Sequence, residues 1–267
     1  MLSTILNQCR LALAIIGVMT FAASGHAAEI TSSATPETAK SASGSGWTFT
    51  ATPYFWAAEM SGDIAQFGMP RTTHVNSKFK DILEHFDFAT MVVGEARYDR
   101  FSIFGDIIYS RLSASSNTPW DAVEKVDVTT QTFSGLLGAG YSVLQSGPNR
   151  LDVVGGARIW SVKTEIDLQG NTIDDINVSD SATWVDGIVG LRGRYFLNDT
   201  FYLSNWAFIG KGGARLDWDV AATLGYRFND TWSALAGYRA LGVDYHHGDF
   251  VFDVVQKGPI LGLVVRF

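Results

Sequence analysis

The sequence predicts an all-β fold: one single antiparallel, up-and-down β-barrel that crosses a membrane with its strands. Three observations predict it. From Trp47 onward, apolar and polar residues alternate with period two in one segment after another. Short turns of Asn, Asp, Gly and Pro alternate with longer polar connections. Aromatic residues gather beside the short turns. Composition agrees: of 267 residues, 46% are hydrophobic and 13% aromatic, with 27 glycines against 6 prolines. After residue 30 no run is continuously apolar over the roughly 18 residues a spanning helix needs.

The N-terminus reads as an export signal. Arg10 supplies positive charge, Leu11 to Ala23 is an apolar run of secretory length, and Ser24-Gly25-His26-Ala27 supplies small residues for cleavage. Residues 1–27 are therefore expected to be a signal peptide, cut after Ala27 or one residue later. Cys9, the single cysteine, precedes the apolar run, which is the wrong order for a lipoprotein, and the mature chain would hold no thiol. Residues 28–46, rich in Ser, Thr, Ala and Gly, lack apolar periodicity and read as a flexible, disordered periplasmic leader. The barrel domain is then 47–267. Net charge is −7 and no basic stripe is present, so no nucleic acid is expected as a partner.

A transmembrane strand faces lipid on one side and the lumen on the other, which requires alternation. Phe88, Thr90, Val92, Gly94, Ala96 and Tyr98 share one face, with Glu95 and Arg97 opposite. After the turn at Asp99-Arg100, Phe101, Ile103, Gly105, Ile107 and Tyr109 share a face, with Asp106 opposite. Further strands repeat the pattern around Asp152 and Arg158, around Asp186, Arg192 and Arg194, around Asp219 and Arg227, and around Arg239 and Arg266. Counting back from a periplasmic C-terminus gives 251–267, 232–245, 215–228, 201–210, 181–196, 151–166, 126–142, 101–112, 87–98 and 47–58. That is ten strands, an even number that puts both termini on the periplasmic side; twelve and eight are the alternatives.

Polar connections are expected near 113–125 and 167–180, and residues 59–86 form the longest one, on the extracellular side. Within it Ser77 is a plausible N-cap, and Phe79, Ile82, Leu83 and Phe86 follow at helical spacing, which predicts a short amphipathic helix near 77–86. Its apolar face must dock on the barrel rim or in the mouth. The mouth is favoured, because Lys78, Lys80, Asp81 and Glu84 would meet lumen charges there. Tyr98, Phe101, Tyr141, Tyr195, Phe196, Phe201, Tyr226, Phe228, Trp232 and Phe267 form the expected periplasmic girdle. A soluble barrel would alternate too, but it has no reason to gather its rings at one set of turns.

The chain ends Gly258-Pro259-Ile260-Leu261-Gly262-Leu263-Val264-Val265-Arg266-Phe267. This resembles the C-terminal strand of outer-membrane β-barrel proteins, in which a terminal Phe after alternating apolar residues addresses the chain to the barrel-assembly machinery. Leu261, Leu263, Val265 and Phe267 would be that assembly signal. Residues 79–88 (Phe-Lys-Asp-Ile-Leu-Glu-His-Phe-Asp-Phe), Gly105-Asp106-Ile107-Ile108-Tyr109 and Gly237-Tyr238-Arg239 resemble a group of small proteobacterial outer-membrane proteins, similar to the OmpA-like and OmpW-like barrels. The resemblance implies the cell outer membrane as location. The partners it implies are outer-membrane lipid and lipopolysaccharide, the barrel-assembly machinery and periplasmic chaperones, with a monomeric barrel. It carries over no catalytic residue and no substrate.

The candidate site is the inward charge set: Glu95, Arg97, Asp106, Arg158, Asp186, Arg192, Arg194, Asp219, Arg227, Arg239 and Arg266. One reading is a charged, narrow, porin-like pore lining. The favoured one is a salt-bridged network filling a narrow barrel, since about eight strands leave just enough room for side chains and 16–18 leave a channel. His246-His247-Gly248-Asp249 reads as an exposed polar tip, not a metal site. No catalytic, cofactor-binding or metal residue is assigned, and no cofactor is expected. The expected role is structural, surface-interacting or weakly conducting. The alternative is a lipid-modifying enzyme acting on lipid A or phospholipid as hydrolase or acyltransferase, using His74, His85, His246 or His247, although no local Ser and acid mark a triad.

Overall fold

The computed structural model describes residues 46–68, 72–77, 79–80, 86–120, 123–170 and 176–267; the expected signal peptide and nearly all of the leader lie outside them. Among the described residues twelve strands form: β1 (Trp47–Trp56), β2 (Glu59–Ala65), β3 (Thr73–Ser77), β4 (Phe86–Tyr98), β5 (Phe101–Trp120), β6 (Val123–Ser146), β7 (Asn149–Gly170), β8 (Ile176–Phe196), β9 (Phe201–Gly212), β10 (Leu216–Arg227), β11 (Trp232–His247) and β12 (Phe250–Arg266). Ten of them, β1 and β4 to β12, pair antiparallel with their neighbours and close through β1 and β12. These are the ten strands the alternation marks out. Closure pairs the backbone across lipid without leaving an edge. The last residue takes part, since Phe267 N donates to Phe49 O at 2.9 Å.

Turn chemistry sets the periplasmic end. Asp99 has φ 48° in the two-residue turn between paired Tyr98 and Phe101, a conformation that Asp tolerates. The repeated Asn-Asp-Thr turns act alike: Asn198 Oδ1 accepts from Thr200 N and Phe201 N at 2.9 and 2.8 Å, and Asn229 Oδ1 accepts from Thr231 N and Trp232 N at 2.9 and 2.8 Å.

The strands β5 to β8 run well past their expected ends, so the connections expected near 113–125 and 167–180 are largely paired strand. Above the lipid neither face has to be apolar, so pairing continues after alternation stops. Polar cross-strand contacts replace it, as where Ser115 donates to Asp127 and Asn177 to Asp167.

The hairpin β2–β3 corrects the reading of 59–86 as a connection. Its first strand continues the first barrel strand along β12, which holds β1 against its lower half and β2 against residues 251–257. At Gly62, φ is +153° and an added Cβ would lie 2.1 Å from Asp253 O, so only glycine allows the two backbones this close. The inner face of the hairpin, with Met60, Ile64, Val75 and Ser77, is buried. Phe67 N, at its tip, donates to Asp180 of β8 at 2.6 Å. In the ring β8 lies across from the β1–β12 seam, so the hairpin crosses the extracellular mouth as a lid.

Ser77 is the last residue of a strand. Of the expected helix, Phe79 and Lys80 have helical backbone, Phe86 begins β4, and 78 and 81–85 lie outside the described residues. The Phe79 ring packs against Phe55, centroids 6.0 Å apart. Phe55 is paired with lipid-facing Leu261 on the outer wall. Phe79 and Phe55 also pack against the buried apolar cluster that includes Trp56 and Val75, so this residue docks where the rim meets that cluster.

Candidate functional site

The outer wall is apolar. Ile103, Leu137, Val189 and Leu261 are each more than half exposed, at 55, 66, 60 and 57%. Large side chains this open on every part of a closed wall require lipid as their solvent. The girdle forms beside the periplasmic turns, with Trp47 on Tyr98, Phe101 on Tyr141 and Phe201 on Tyr226 at centroid distances of 5.3, 5.1 and 5.2 Å. Phe196 is the exception: it points inward, onto Tyr202 and under Arg227. Leu261, Leu263 and Phe267 lie on the exposed face, with Val265 half-buried in the same row.

The lumen is filled in layers. Under the lid, Met60, Ile64 and Val75 join Trp160, Val162, Trp184, Tyr245, Phe250 and Phe252 in one apolar cluster. Trp184 of β8 stacks on Tyr245 of β11 at 3.9 Å, bridging the wall above the short β9–β10 turn.

Below lies an ionic layer. Arg239 of β11 donates to Asp219 Oδ1 and Oδ2 at 3.1 and 2.7 Å, to Asp106 Oδ2 at 2.7 Å and to Tyr54 OH at 2.8 Å. Arg158 of β7 donates to Asp219 Oδ2 and Asp217 Oδ1, both at 2.7 Å. Trp206 and Trp160 donate to Asp219 and Asp217 at 2.8 and 2.9 Å. Both guanidinium side chains are 1% exposed. The forked geometry satisfies buried charge that would otherwise cost several kcal/mol per ion. Asp186 stands apart, accepting from Ala214 N at 2.8 Å and so fixing the β9–β10 turn.

A second apolar ring follows, made of Phe104, Leu136, Val154, Ile188 and Phe208. At the periplasmic end, Glu95 accepts from Arg97 Nε at 3.1 Å and Arg150 NH2 at 2.9 Å, and pairs with Arg192 NH2 at 2.9 Å. Asp152 takes Arg97 and, at 2.5 Å, the hydroxyl of Ser142. Arg194, Arg227 and Arg266 also face this end: Arg194 lies over Tyr202 at 5.4 Å, and Arg227 donates to Asp199 O.

Ten of the eleven expected residues thus fall into two groups, not one network, and one stands alone. Asp106, Arg158, Asp219 and Arg239 meet in the middle layer; Glu95, Arg97, Arg192, Arg194, Arg227 and Arg266 crowd the periplasmic mouth; Asp186 serves a turn. Sequence reasoning missed Asp217, Arg150 and Tyr54, and it left Asp152 out of the candidate set although alternation places it on the inward face. Asp217 and Asp152 sit two residues from Asp219 and Arg150 on the same strand face, so period two marks them. Nothing local marks Tyr54, whose partners are 52 and 185 residues away.

On the extracellular rim, His74 pairs with Asp63 and His246 with Asp244, each at 3.0 Å. Asp244, His246 and Asp253 offer ligand atoms within 4.8 Å of one another. The His246 tip is therefore part of a wider rim cluster. Residue His85 lies outside the described residues.

A closed barrel with a lipid-exposed apolar wall, an aromatic girdle and a charged interior is a bacterial outer-membrane β-barrel protein, and the outer membrane is its location. Solved structures similar to it include the translocator domain of the autotransporter NalP from Neisseria meningitidis (16% identity, 84% of this chain and 89% of that one, TM-score 0.42). The outer membrane protease OmpT from Escherichia coli (11%, 83% and 97%, 0.47) and the attachment invasion locus protein Ail of Yersinia pestis (12%, 83% and 99%, 0.37) are also among them. No protein-family model matches the chain, and no curated protein matches it in sequence.

Proposed function

We propose that this protein is a non-enzymatic, non-conducting outer-membrane barrel with a structural and cell-surface role. The observation that carries the reading is the ionic bar from Asp106 on β5 through Arg239 and Asp219 to Arg158 on β7, buried beneath a lid-covered apolar cluster. Ions crossing the lumen would have to break fully buried ion pairs and then pass an apolar layer, at a cost of several kcal/mol for each step. What remains accessible is the surface above the lipid, where β5 to β8 stand tall and expose Ile176 and Val178 among polar side chains. The test is single-channel recording of the purified protein in planar bilayers. Absence of unitary steps is expected, and steady steps from the wild-type chain would overturn the closed lumen. The lipid A and phospholipid profile of a deletion strain is expected to match its parent; a modification that disappears and returns on complementation would make the protein an enzyme.

A further inference from the structure

We infer that the periplasmic end of the lumen is an anion site that takes a phosphoryl group. Among the described residues, six arginines face the lumen at this end, Arg97, Arg150, Arg192, Arg194, Arg227 and Arg266, against two inward carboxylates, Glu95 and Asp152; those of Asp99, Asp199, Asp230 and the terminal Phe267 lie on exposed residues. Both carboxylates are already engaged: Glu95 by Arg97, Arg150 and Arg192, and Asp152 by Arg97, with Arg150 Nε at 3.7 Å. Arg194 is held among Glu95, Tyr202, Arg192 and Arg266, so two like charges press on it from its own strand and from β12. A separate observation points to a ligand. Arg192 NH1, Arg194 Nε and Arg266 Nε are buried nitrogens with no acceptor among the described residues. Buried donors in a native structure have partners. Water can accept from these N–H groups, but it cannot offset their charge, and a guanidinium does not relieve repulsion by losing its proton. A multivalent oxyanion does both, because its oxygens match the guanidinium fork in pairs. The mouth is reachable: Arg97, Arg150 and Arg192 retain 11, 17 and 18% side-chain exposure.

This site is independent of whether the lumen conducts. The experiment uses the mature protein folded in neutral detergent, with inorganic phosphate replacing chloride at constant ionic strength. Binding is followed by calorimetry, and the unfolding temperature by the heat-modifiable gel band. Saturable phosphate binding that raises the unfolding temperature is expected. In Arg194→Gln the affinity falls about tenfold or more, the loss of one charge-assisted hydrogen bond, while the phosphate-free barrel is at least as stable because one repelling charge is gone. Arg266→Lys, which keeps the charge and loses the fork, is the second variant in case the first does not fold, and it is expected to weaken binding as well. Dihexanoyl phosphatidic acid is titrated beside inorganic phosphate. Binding of the free ion assigns the site to soluble phosphate, and binding of the lipid alone assigns it to a headgroup. A response equal in chloride and phosphate, or no saturable binding of either probe, overturns the inference.

Discussion

Replacing Arg239 by Met tests the ionic layer most directly. The guanidinium makes four hydrogen bonds, two to Asp219 and one each to Asp106 and Tyr54. Its loss is felt unequally. Asp219 keeps Arg158 NH2 at 2.7 Å and Trp206 Nε1 at 2.8 Å, whereas among the described residues Asp106 keeps only the hydroxyl of Tyr54 at 2.8 Å. Asp106 thus becomes the uncompensated charge. Removing one member of a buried pair costs about 3–5 kcal/mol, and Met restores most of the volume, so little of the loss is cavity. Adding Asp106→Asn removes the stranded charge and keeps the Tyr54 hydroxyl contact. The double variant is expected to recover about 1–3 kcal/mol relative to additivity. The assay is urea unfolding in lipid vesicles, followed by tryptophan fluorescence and by gel mobility. A single variant within about 1 kcal/mol of wild type, or a double variant worse than the sum of the singles, would refute the assignment of Asp106 to Arg239.

Further outcomes follow from other parts of the barrel. Gly62→Val places a Cβ against Asp253 O, so it is expected to lift the lid hairpin from β12; faster protease cleavage after Lys80 with an intact barrel band is the readout, and unchanged cleavage counts against the lid. Deleting Phe267 removes both seam hydrogen bonds to Phe49 and is expected to leave exported but unassembled protein in the periplasm; normal insertion would show that the terminal residue is dispensable. On the rim, burial together with the neighbouring Asp244 and Asp63 carboxylates raises the Asp253 pKa above its ordinary value. The folded state then binds its proton more tightly than the unfolded chain. Stability rises as pH falls from the raised folded value towards about 3.9, and Asp253→Asn is expected to abolish that gain, at less than about 1 kcal/mol because the group is partly exposed. Finally, mass spectrometry of the mature protein is expected to show a new N-terminus after Ala27 or one residue later; retention of residues 1–27 would overturn the signal peptide.

The sequence alone determined the wall. A strand between lipid and lumen must alternate, so Val185 to Tyr195 or Leu261 to Phe267 declare their outward faces residue by residue, and their Asp and Arg partners declare the inward one. Turns such as Asn198-Asp199-Thr200 carry their geometry in a single side chain, which is why the ten strands were legible. Legibility ended where the lipid ends. The upper parts of β5 to β8 pair through polar contacts such as Ser115 with Asp127, and no periodicity marks a strand that is wet on both faces. The lid was hidden for a related reason: β2 and β3 are short, and what holds them is the upper half of β12, far along the chain. Only the tertiary structure decided which inward charges meet. Alternation puts Arg158, Arg239, Asp106 and Asp219 on one face, but height and azimuth in the barrel depend on stagger between strands, and stagger is a property of closure. That stagger gathered the middle charges into a satisfied bar and left Arg194 and Arg266 crowded together at the periplasmic mouth, with buried donors that no residue of the described chain accepts.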